Sequence, residues 1–339
     1  MMSSTQNERS IQFIGKNMVT IELLKTAKWK VINRFYRRFF GYSEDQFERK
    51  LSKWYLSKTG RTLSLDNPVR FNEKIQWIKL YNSTPLKARL ADKYNVREWI
   101  RNKIGEEYLI PLLGVWKSFD EIDYDSLPAS FVLKTNHASG TNIIVKEKKN
   151  LSRLEIKLRV NRWMSTNYAF KMGLELHYGM IEPLIICEKY MGENLKDFKL
   201  FCFNGEPEFF WVDVDRFTCH SRYTFDLKWN SLPFVIKNSD AKTSNPGEEI
   251  TIEKPQNINK MIEISRILAK DFCFVRIDFY EIEGQLYFGE MTFTSSSGVE
   301  PFIPDIYDYY YGEKLILPPK GEIPIDYIKK IWNNGANYR

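Results

Sequence analysis

Two acidic side chains on facing strands are the residues with the clearest chemistry in this sequence. The segment 272–294 reads FCFVRIDFYEIEGQLYFGEMTFT and alternates apolar and polar residues on both sides of a glycine-containing stretch at 283–285. This alternation predicts a β-hairpin with a three-residue loop. The resulting register pairs Asp278 with Glu290, so the two carboxylates are expected to lie directly opposite each other.

The second face of this predicted hairpin supports the register, because all of its side chains are apolar and identify it as a core face. The side chains of that face are Val275, Ile277, Phe279, Met291 and Phe293. Arg276 and Thr292 then share the first face with the carboxylates. A two-residue turn would place Asp278 and Glu290 on opposite faces, so the prediction depends on the length of the turn.

Facing carboxylates destabilise a sheet unless a positive charge compensates them. Mg²⁺ is suited to this position because it prefers oxygen ligands and usually binds substrate phosphates as well. Arg276 is placed to bind a phosphoryl oxygen beside such a metal. A surface cluster of an arginine and carboxylates, without a metal, is the alternative interpretation of the same residues.

A lysine followed by a loop of small residues forms a second candidate site. Lys134 ends the apolar run 131–134 and is followed by TNHASGTN. The lysine and the backbone N–H groups of the loop can bind phosphate, although an ordinary hairpin has the same pattern. His137 lies in this loop, either close to the phosphate or bracing the loop. The sequence contains no Walker A, G-x-G-x-x-G or H-R-D-x-x-x-x-N motif.

The elements that must position these residues are typical of an α+β protein with mainly antiparallel sheets. Helices are predicted at 44–58, 71–81, 86–103, 152–170 and 257–270. Strands are predicted at 131–134, 143–145, 184–190, 197–203 and 208–214, in addition to the hairpin. The polar stretch 238–250 contains Pro-Gly and is predicted to be a mobile loop.

The N-terminal region and the composition restrict the classes of partner. Residues 1–20 are predicted to be disordered, and residues 21–40 to form a basic amphipathic helix that packs on the protein or lies on an anionic membrane. The net charge of +7 suits an acidic glycan, whereas the scattered basic residues argue against nucleic acid. The absence of an export signal and of a membrane-spanning run predicts a cytoplasmic protein, with peripheral contact at the inner membrane face through 21–40. The absence of a Cys/His cluster argues against a structural zinc site.

Taken in order, these segments resemble the TupA-like ATP-grasp family, which is named for teichuronopeptide biosynthesis. The similar segments are FNEKIQWIK at 71–79, ADKYNVREWI at 91–100, FVLKTNHASG at 131–140, DFKLFCFNGEPEF at 197–209, VRIDFY at 275–280 and FGEMTFTSSSGVEPF at 288–302. The resemblance implies an ATP-grasp fold, in which two α+β lobes with antiparallel sheets enclose a nucleotide cleft. The implied regions are a disordered tail at 1–20, a helical N-terminal region at 21–85, a first lobe at 86–190 and a second lobe at 191–330.

The resemblance also implies a role for each matching residue, with ATP and Mg²⁺ as the cofactors. The residues implied to be catalytic are Arg276, which would stabilise the transferred phosphoryl group, and Lys134, which would hold ATP phosphates. The residues implied to bind ATP are Lys93, Lys134, Asn136, His137, Ser139, Gly140, Glu188, Lys189, Tyr190, Met191, Asp197 and Lys199. The residues implied to bind Mg²⁺ are Asp278, Glu290 and Thr292, where Thr292 replaces the asparagine of many ATP-grasp enzymes.

The reaction implied by the resemblance is ligation of a carboxylate to an amine through an acylphosphate. The family context suggests a uronic acid of a bacterial surface polysaccharide as acceptor and an amino acid as amine. Two other enzyme classes remain open: a glycosyltransferase with a D-x-D metal motif at 213–215 or 123–125, and an ATP-grasp kinase that phosphorylates a sugar hydroxyl. A non-catalytic protein that binds glycan or membrane is the remaining alternative.

Overall fold

The computed structural model describes residues 4–150, 152–192, 195–214, 221–237, 242–243 and 252–334. The helices are α1 (Ser4–Tyr36), α2 (Glu44–Thr59), α3 (Phe71–Tyr81), α4 (Pro85–Ala91), α5 (Val96–Lys103), α6 (Arg153–Met164), α7 (Ile258–Ala269), α8 (Ile306–Lys314) and α9 (Ile325–Asn334). The strands are β1 (Leu112–Trp116), β2 (Phe131–Thr135), β3 (Asn142–Val145), β4 (Ile185–Lys189), β5 (Asp197–Phe203), β6 (Glu206–Val214), β7 (Ser221–Phe225), β8 (Val235–Ile236), β9 (Lys242–Thr243), β10 (Phe274–Ile282), β11 (Gln285–Thr292) and β12 (Phe302–Ile303).

Two main sheets organise the molecule. The larger sheet has six strands in the order β11-β10-β5-β6-β7-β9, and the smaller has four in the order β1-β4-β2-β3. Strands β12 and β8 form a separate pair. Among the described strands, β7 and β9 pair in parallel and all other pairs are antiparallel. The prediction of an α+β fold with mainly antiparallel sheets is therefore confirmed.

Each sheet has its own hydrophobic core. The smaller core joins the four-stranded sheet to α6 and draws its buried residues from 119–187. The larger core joins the six-stranded sheet to α3, α4, α5 and α7, and it includes aromatic residues of the N-terminal helical region such as Phe39 and Phe47. Helices α4 and α5, which the resemblance assigned to the first lobe, therefore contribute their buried side chains to the larger core.

The helix predicted over 86–103 is divided in two. The carboxylate of Asp92 accepts hydrogen bonds from the backbone N–H groups of Tyr94 (2.8 Å) and Asn95 (3.1 Å). A side chain that takes up backbone donors in this way competes with the helix and favours a turn. Lys93 lies in the turn between α4 and α5, where its side chain points away from both helices toward β2 and the loop that follows it.

Helix α1 begins at Ser4 and therefore includes most of the segment 1–20 that was predicted to be disordered. Residues 4–20 contain no proline and a single glycine, so nothing in their composition stops the helix. The predicted loop at 238–250 lies outside the described residues, except for the two residues of β9. No helix in the described ranges has both the length and the apolar character needed to cross a membrane.

Candidate active site between the two sheets

The hairpin places the two carboxylates on one face, although its turn differs from the predicted one. Strands β10 and β11 pair Asp278 with Glu290. The connecting turn has two residues, Glu283 and Gly284, and both have positive φ angles of 52° and 78°. These angles are typical of a type I′ hairpin. The predicted three-residue loop is therefore wrong, and this turn alone would have separated the carboxylates.

A β-bulge restores the register. Asp278 pairs with Glu290, whereas the next residue, Phe279, pairs with Phe288, so Gly289 is an extra residue in β11. A Cβ atom added to Gly289 would lie 3.0 Å from the backbone oxygen of Asp278, which explains why a glycine occupies the bulge. The shift caused by the shorter turn is thereby cancelled, and the predicted pairing of the two carboxylates is confirmed.

Arg276 links both carboxylates. Its Nε and Nη2 atoms donate to Oδ1 and Oδ2 of Asp278 at 2.7 Å each, and Nη2 lies 3.2 Å from Oε1 of Glu290. The hydroxyl oxygens of Thr292 and Ser295 accept from the same guanidinium at 3.1 Å each. The arginine thus supplies part of the charge compensation that the sequence analysis assigned to a metal.

The two carboxylates differ in their affinity for a proton. Burial raises the pKa of Asp278 to about 6, although Arg276 and Lys199 oppose the effect. Burial also acts to raise the pKa of Glu290, but Lys93 and Arg276 outweigh it and lower this pKa to about 2. The Nζ atom of Lys93 lies 3.6 Å from Oε2 of Glu290. Positive charge from both sides of the site therefore keeps Glu290 ionised.

Asp197 and Lys199 continue the charged face onto β5. The Nζ atom of Lys199 contacts the carboxylate of Asp197, lies 3.0 Å from Oδ2 of Asp213 and 4.0 Å from Oδ2 of Asp278. All four side chains are buried. A buried lysine among three carboxylates offsets their mutual repulsion. Lys199 therefore neutralises carboxylate charge beneath the site. Asp197, in contrast, borders the cavity itself.

Contacts of the two D-x-D segments argue against the glycosyltransferase alternative. Asp213 is buried and accepts hydrogen bonds from Nε1 of Trp211 (3.0 Å) and Nε of Arg222 (3.1 Å). Asp215, its partner in the motif, lies outside the described residues. In the second segment, Asp123 caps an exposed turn by accepting a backbone N–H two residues further on (3.2 Å). The carboxylates of Asp213 and Asp123 therefore hold protein groups.

The facing wall of the site carries two lysines. Lys134, on β2, donates from Nζ to Oε2 of Glu188 on β4 at 2.5 Å. Lys93 donates from Nζ to the backbone oxygen of Ala138 at 2.8 Å. Both lysine side chains are partly exposed, at 19% for Lys93 and 22% for Lys134. Their cationic groups are therefore accessible from the space between the two sheets.

The loop after Lys134 contributes less to this space than was predicted. The side chain of Asn136 is buried, where it accepts from the backbone N–H of Leu184 (2.7 Å) and donates to the carbonyl of Glu182 (3.0 Å). The backbone N–H of Asn136 also donates to Leu184 (3.1 Å). These bonds fix the loop to the segment before β4, so the predicted contact of Asn136 with phosphate is not supported.

His137 is also directed inward. It is buried and packs edge-on against the ring of Tyr168, with ring centroids 5.2 Å apart. Burial, together with the charge of Lys93, lowers the pKa of His137 to about 3, so the ring is neutral. The loop-bracing alternative fits these contacts better than phosphate binding. Ser139 and Gly140 are the exposed residues of the loop, and they border the cavity as predicted.

The predicted adenine hinge is divided in a similar way. Glu188 borders the cavity, but among the described residues its wall does not include Lys189, Tyr190 or Met191. The backbone N–H of Lys189 donates to the carbonyl of Pro111 at 2.9 Å. Met191 borders a separate cavity of about 490 Å³. This part of the predicted ATP-binding set therefore lies beside the cavity and not in its wall.

The two walls enclose a cavity of about 540 Å³, a size common for small-molecule sites. One side carries carboxylates of the six-stranded sheet, and the other carries cationic groups and the small-residue loop. The charged residues of the wall are Lys93, Arg97, Lys134, Glu188, Asp197, Arg222, Asp278 and Glu290. The apolar part of the wall consists of Val96, Leu109, Ile110 and Phe288, beside Tyr280.

Two arginines of this wall were missed by the sequence analysis. Arg97 lies on the first turn of α5, where Nη1 is 3.4 Å from Oε1 of Glu188 and Nη2 donates to the carbonyl of Ile110 (2.8 Å). The position of Arg97, four residues after Lys93, is the sequence signal that could have identified it as a second cationic residue of the site. Arg222 lies on β7, between Asp213 and Oε2 of Glu300 (3.0 Å), and that strand was not predicted from the sequence.

The donor set at the hairpin fits Mg²⁺ bound together with phosphate. The described residues contain no cluster of three or more His, Cys, Asp or Glu side chains that could hold a metal without help. Mg²⁺ commonly takes one or two carboxylates and completes its coordination with water and substrate phosphates, so Asp278 and Glu290 suffice. The Thr292 hydroxyl donates to Oε1 of Glu290 (3.0 Å) and accepts from Arg276, so it orients Glu290 and is a weak candidate for the third ligand.

Comparisons with known proteins identify a family. The model of the TupA-like ATP-grasp family matches residues 73–316, well over half of the chain. No curated protein matches. Similar solved structures include D-alanine–D-alanine ligase from Bacillus anthracis complexed with ATP (15% identity, TM-score 0.38, 71% of this chain and 64% of that one). Biotin carboxylase from Campylobacter jejuni with β-γ-ATP (13%, 0.38, 68% and 47%) and N5-carboxyaminoimidazole synthetase from Staphylococcus aureus with ADP (16%, 0.34, 60% and 44%) are also similar.

The chain thus spans less than two thirds of the length of these three structures. The family match includes the two lysines, the carboxylate hairpin and nearly the whole cavity wall described above. The chain belongs to the TupA-like ATP-grasp family.

Proposed function

We propose that this protein is an ATP-dependent ligase that joins a carboxylate to an amine through an acylphosphate. ATP-grasp enzymes use ATP and Mg²⁺. The observation that carries the proposal is the pairing of Asp278 with Glu290 on one side of a cavity whose other side holds Lys93 and Lys134. A nucleoside triphosphate with bound Mg²⁺ matches both sides of this cavity, because its phosphates are opposite in charge to the lysines and its metal is opposite in charge to the carboxylates.

Each wall has a separate task in this proposal. Lys93 and Lys134 bind phosphate oxygens, and the exposed backbone of Ser139 and Gly140 lies beside them. The adenine base lies against the apolar part of the wall around Ile110. Asp278 and Glu290 would hold the Mg²⁺ ion, which would neutralise part of the phosphate charge. The lysines and the hairpin together position the terminal phosphate for transfer.

The reaction itself requires positioning and positive charge more than a protein nucleophile. An oxygen of the acceptor carboxylate attacks the γ-phosphorus, and the bond between that phosphorus and the bridging oxygen breaks, so ADP leaves. The amine nitrogen then attacks the acyl carbon, phosphate departs with its bonding electrons, and the nitrogen loses a proton. Arg276, which is held by Asp278 and stays protonated, stabilises the charge on the transferred group.

The acceptor that we propose is a uronic acid of a bacterial surface polysaccharide or its precursor, and the amine is an amino acid. The net charge of +7 suits an acidic glycan. Arg222 borders the cavity, and in this proposal it binds the acidic group of the acceptor. Its ion pairs with Asp213 and Glu300, through Nε and Nη1, orient the guanidinium.

The test is ADP release from purified protein supplied with ATP, Mg²⁺, uronic-acid glycans and single amino acids, followed by product mass. A ligase product gains the mass of the amino acid less water. A gain of one phosphate, independent of amino acid, would instead identify the sugar kinase. The Glu290→Gln variant, shown to be folded by its thermal unfolding, serves as the control; equal ADP release by that variant would refute the proposed site.

A further inference from the structure

Helix α1 packs on the protein through polar side chains. In the described part of the helix, Glu22 and Asn33 are the buried residues. Oε2 of Glu22 lies 2.8 Å from Nη1 of Arg162 on α6, and Nδ2 of Asn33 donates to the carbonyl of Ser165. These contacts fix the orientation of the helix and direct the opposite side toward solvent.

The outward side carries a row of large apolar residues. Leu24 is 67% exposed, Val31 is 71% exposed and Phe35 is 52% exposed. Their spacing of seven and four residues places them on one line along the helix. Ile21, one turn before Leu24, extends the row and is 47% exposed. Exposed apolar side chains that are aligned in this way usually mark an interaction surface.

Basic side chains border this row on both sides, and one lies within it. Lys25 lies along one edge, and Lys30 and Arg34 lie along the other, as the helical period of 3.6 residues requires. Lys28 is four residues after Leu24 and three before Val31, so it lies in the row itself, where a long stem can follow the apolar surface while the charge reaches outward. Glu22 is the single acidic residue between positions 21 and 40, and it is buried in its ion pair with α6. The exposed side of this helix therefore presents apolar and positive groups.

The edge formed by Lys30 and Arg34 continues into a cavity of about 720 Å³ between α1, α6 and the segment after β1. Arg37 and Lys117 also border this cavity. Asp120 is the acidic residue of the described wall, and its Oδ1 atom lies 2.5 Å from Nζ of Lys157. The cavity thus adds positive charge at the margin of the apolar row.

From these observations we propose that residues 19–38 dock on a bilayer that contains anionic phospholipids. The apolar row inserts below the head groups, and the basic edges bind the head-group phosphates. Packing of a second copy against the same face is disfavoured because it would bring two sets of basic edges together. This inference concerns a surface remote in sequence from the active-site residues and does not depend on the proposed reaction.

The test is sedimentation of the full chain with vesicles of phosphatidylcholine, with and without phosphatidylglycerol. We expect binding to the anionic vesicles, weakened by high salt, and a reduction of roughly tenfold or more in a Leu24→Ser/Val31→Ser variant. The matched control is Ile306→Ser/Ile316→Ser, because these apolar residues are 64% and 69% exposed elsewhere on the surface. The control should bind like the unmodified chain.

A second variant separates charge from apolar contact. Lys30→Glu/Arg34→Glu should lose the preference for anionic vesicles while keeping the same thermal unfolding transition. The proposal is overturned if the unmodified chain ignores both kinds of vesicle, or if the control pair weakens binding as much as the α1 pair. Concentration-dependent dimers that dissociate on Leu24→Ser/Val31→Ser, without vesicle binding, would assign the face to a second copy instead.

Discussion

The two walls of the active-site cavity are built in contrasting ways. On the six-stranded sheet, Arg276 contacts four protein side chains, and Asp278 is only 3% exposed. On the facing wall, Lys93 and Lys134 are partly exposed, and each donates one short hydrogen bond, to Ala138 and Glu188 respectively. The Arg276–Asp278 part of the carboxylate wall is therefore assembled in advance, whereas we expect the two lysines to exchange their protein acceptors for phosphate.

This contrast teaches how the site divides rigidity and adaptation. A buried network costs little reorganisation when a charged ligand arrives, because its groups are already oriented. Partly exposed lysines lose less when they change partners, because water screens the ion pairs that they leave. Substitutions on the two walls should therefore differ in what they impair.

The largest effect is expected on the carboxylate wall. Asp278→Asn removes a charge that no neighbouring group can replace, and we expect the turnover number to fall by about 10³-fold. The Michaelis constant for ATP should change less than the turnover number. Steady-state ADP release measures both values. If the substitution raised the Michaelis constant and left the turnover number unchanged, the carboxylate wall would act only in binding. The contrast between the two walls would then not hold.

A smaller effect is expected on the lysine wall. Lys134→Met keeps the length of the side chain but removes its charge, and we expect the catalytic efficiency with ATP to fall by about 50-fold. Most of that loss should appear in ATP affinity, which calorimetry can measure directly. Lys171→Met provides a matched control, because this lysine lies near the ring of Tyr168, outside the cavity wall. Unchanged ATP affinity of Lys134→Met would contradict its assignment to the phosphates.

The small-residue loop allows a comparison within one wall, between its buried residue Asn136 and its exposed residue Ser139. Asn136→Ala leaves the buried N–H of Leu184 and the carbonyl of Glu182 without their side-chain partner, so we expect a loss of about 2 kcal/mol in the free energy of unfolding. Ser139→Ala, in the exposed part of the loop, should change stability by less than about 0.5 kcal/mol. Chemical denaturation measures both. Equal stability losses would mean that the loop is uniformly anchored.

A buried lysine outside the cavity extends the comparison to the pH dependence of stability. Lys79 is buried in α3, where burial lowers its pKa from 10.5 to about 7 despite the opposing charge of Glu175. Between these values the unfolded chain binds more protons, so this lysine makes the free energy of unfolding rise with pH, by at most about 1.4 kcal/mol per unit. The stability advantage of the native chain over Lys79→Met should therefore grow from pH 7 to pH 10. A constant difference in denaturation experiments would show that burial does not lower the pKa of Lys79.

The hairpin shows which features were predictable from sequence. The apolar face formed by Val275, Ile277 and Met291 had to be buried, and this requirement places Asp278 and Glu290 together on the other face. The predicted turn length was wrong because a local pattern does not reveal the bulge that compensates the shorter turn. The main strands followed from the same kind of periodicity, whereas the ATP-grasp fold was implied by the resemblance of the ordered segments to the family.

Other parts of the site depend on contacts between distant segments. The inward orientation of Asn136 follows from its bonds to Glu182 and Leu184, nearly fifty positions away, which no local pattern specifies. Arg222 reaches the cavity because β7 pairs with β6 in a particular register. Sequence patterns identify residues whose chemistry suits ligand binding. Long-range contacts then determine which of these residues border the cavity and which are bound to other parts of the protein.

The single extra residue at Gly289 has a consequence for how this site can change during evolution. Deleting that one codon would remove the bulge but keep Asp278 opposite Glu290, because Phe279 would still pair with Phe288 and Glu290 would follow Phe288 directly. The strand would lose the local bend and the extra twist that a bulge introduces. A lineage could therefore change the shape of this edge of the site while keeping both of its facing carboxylates.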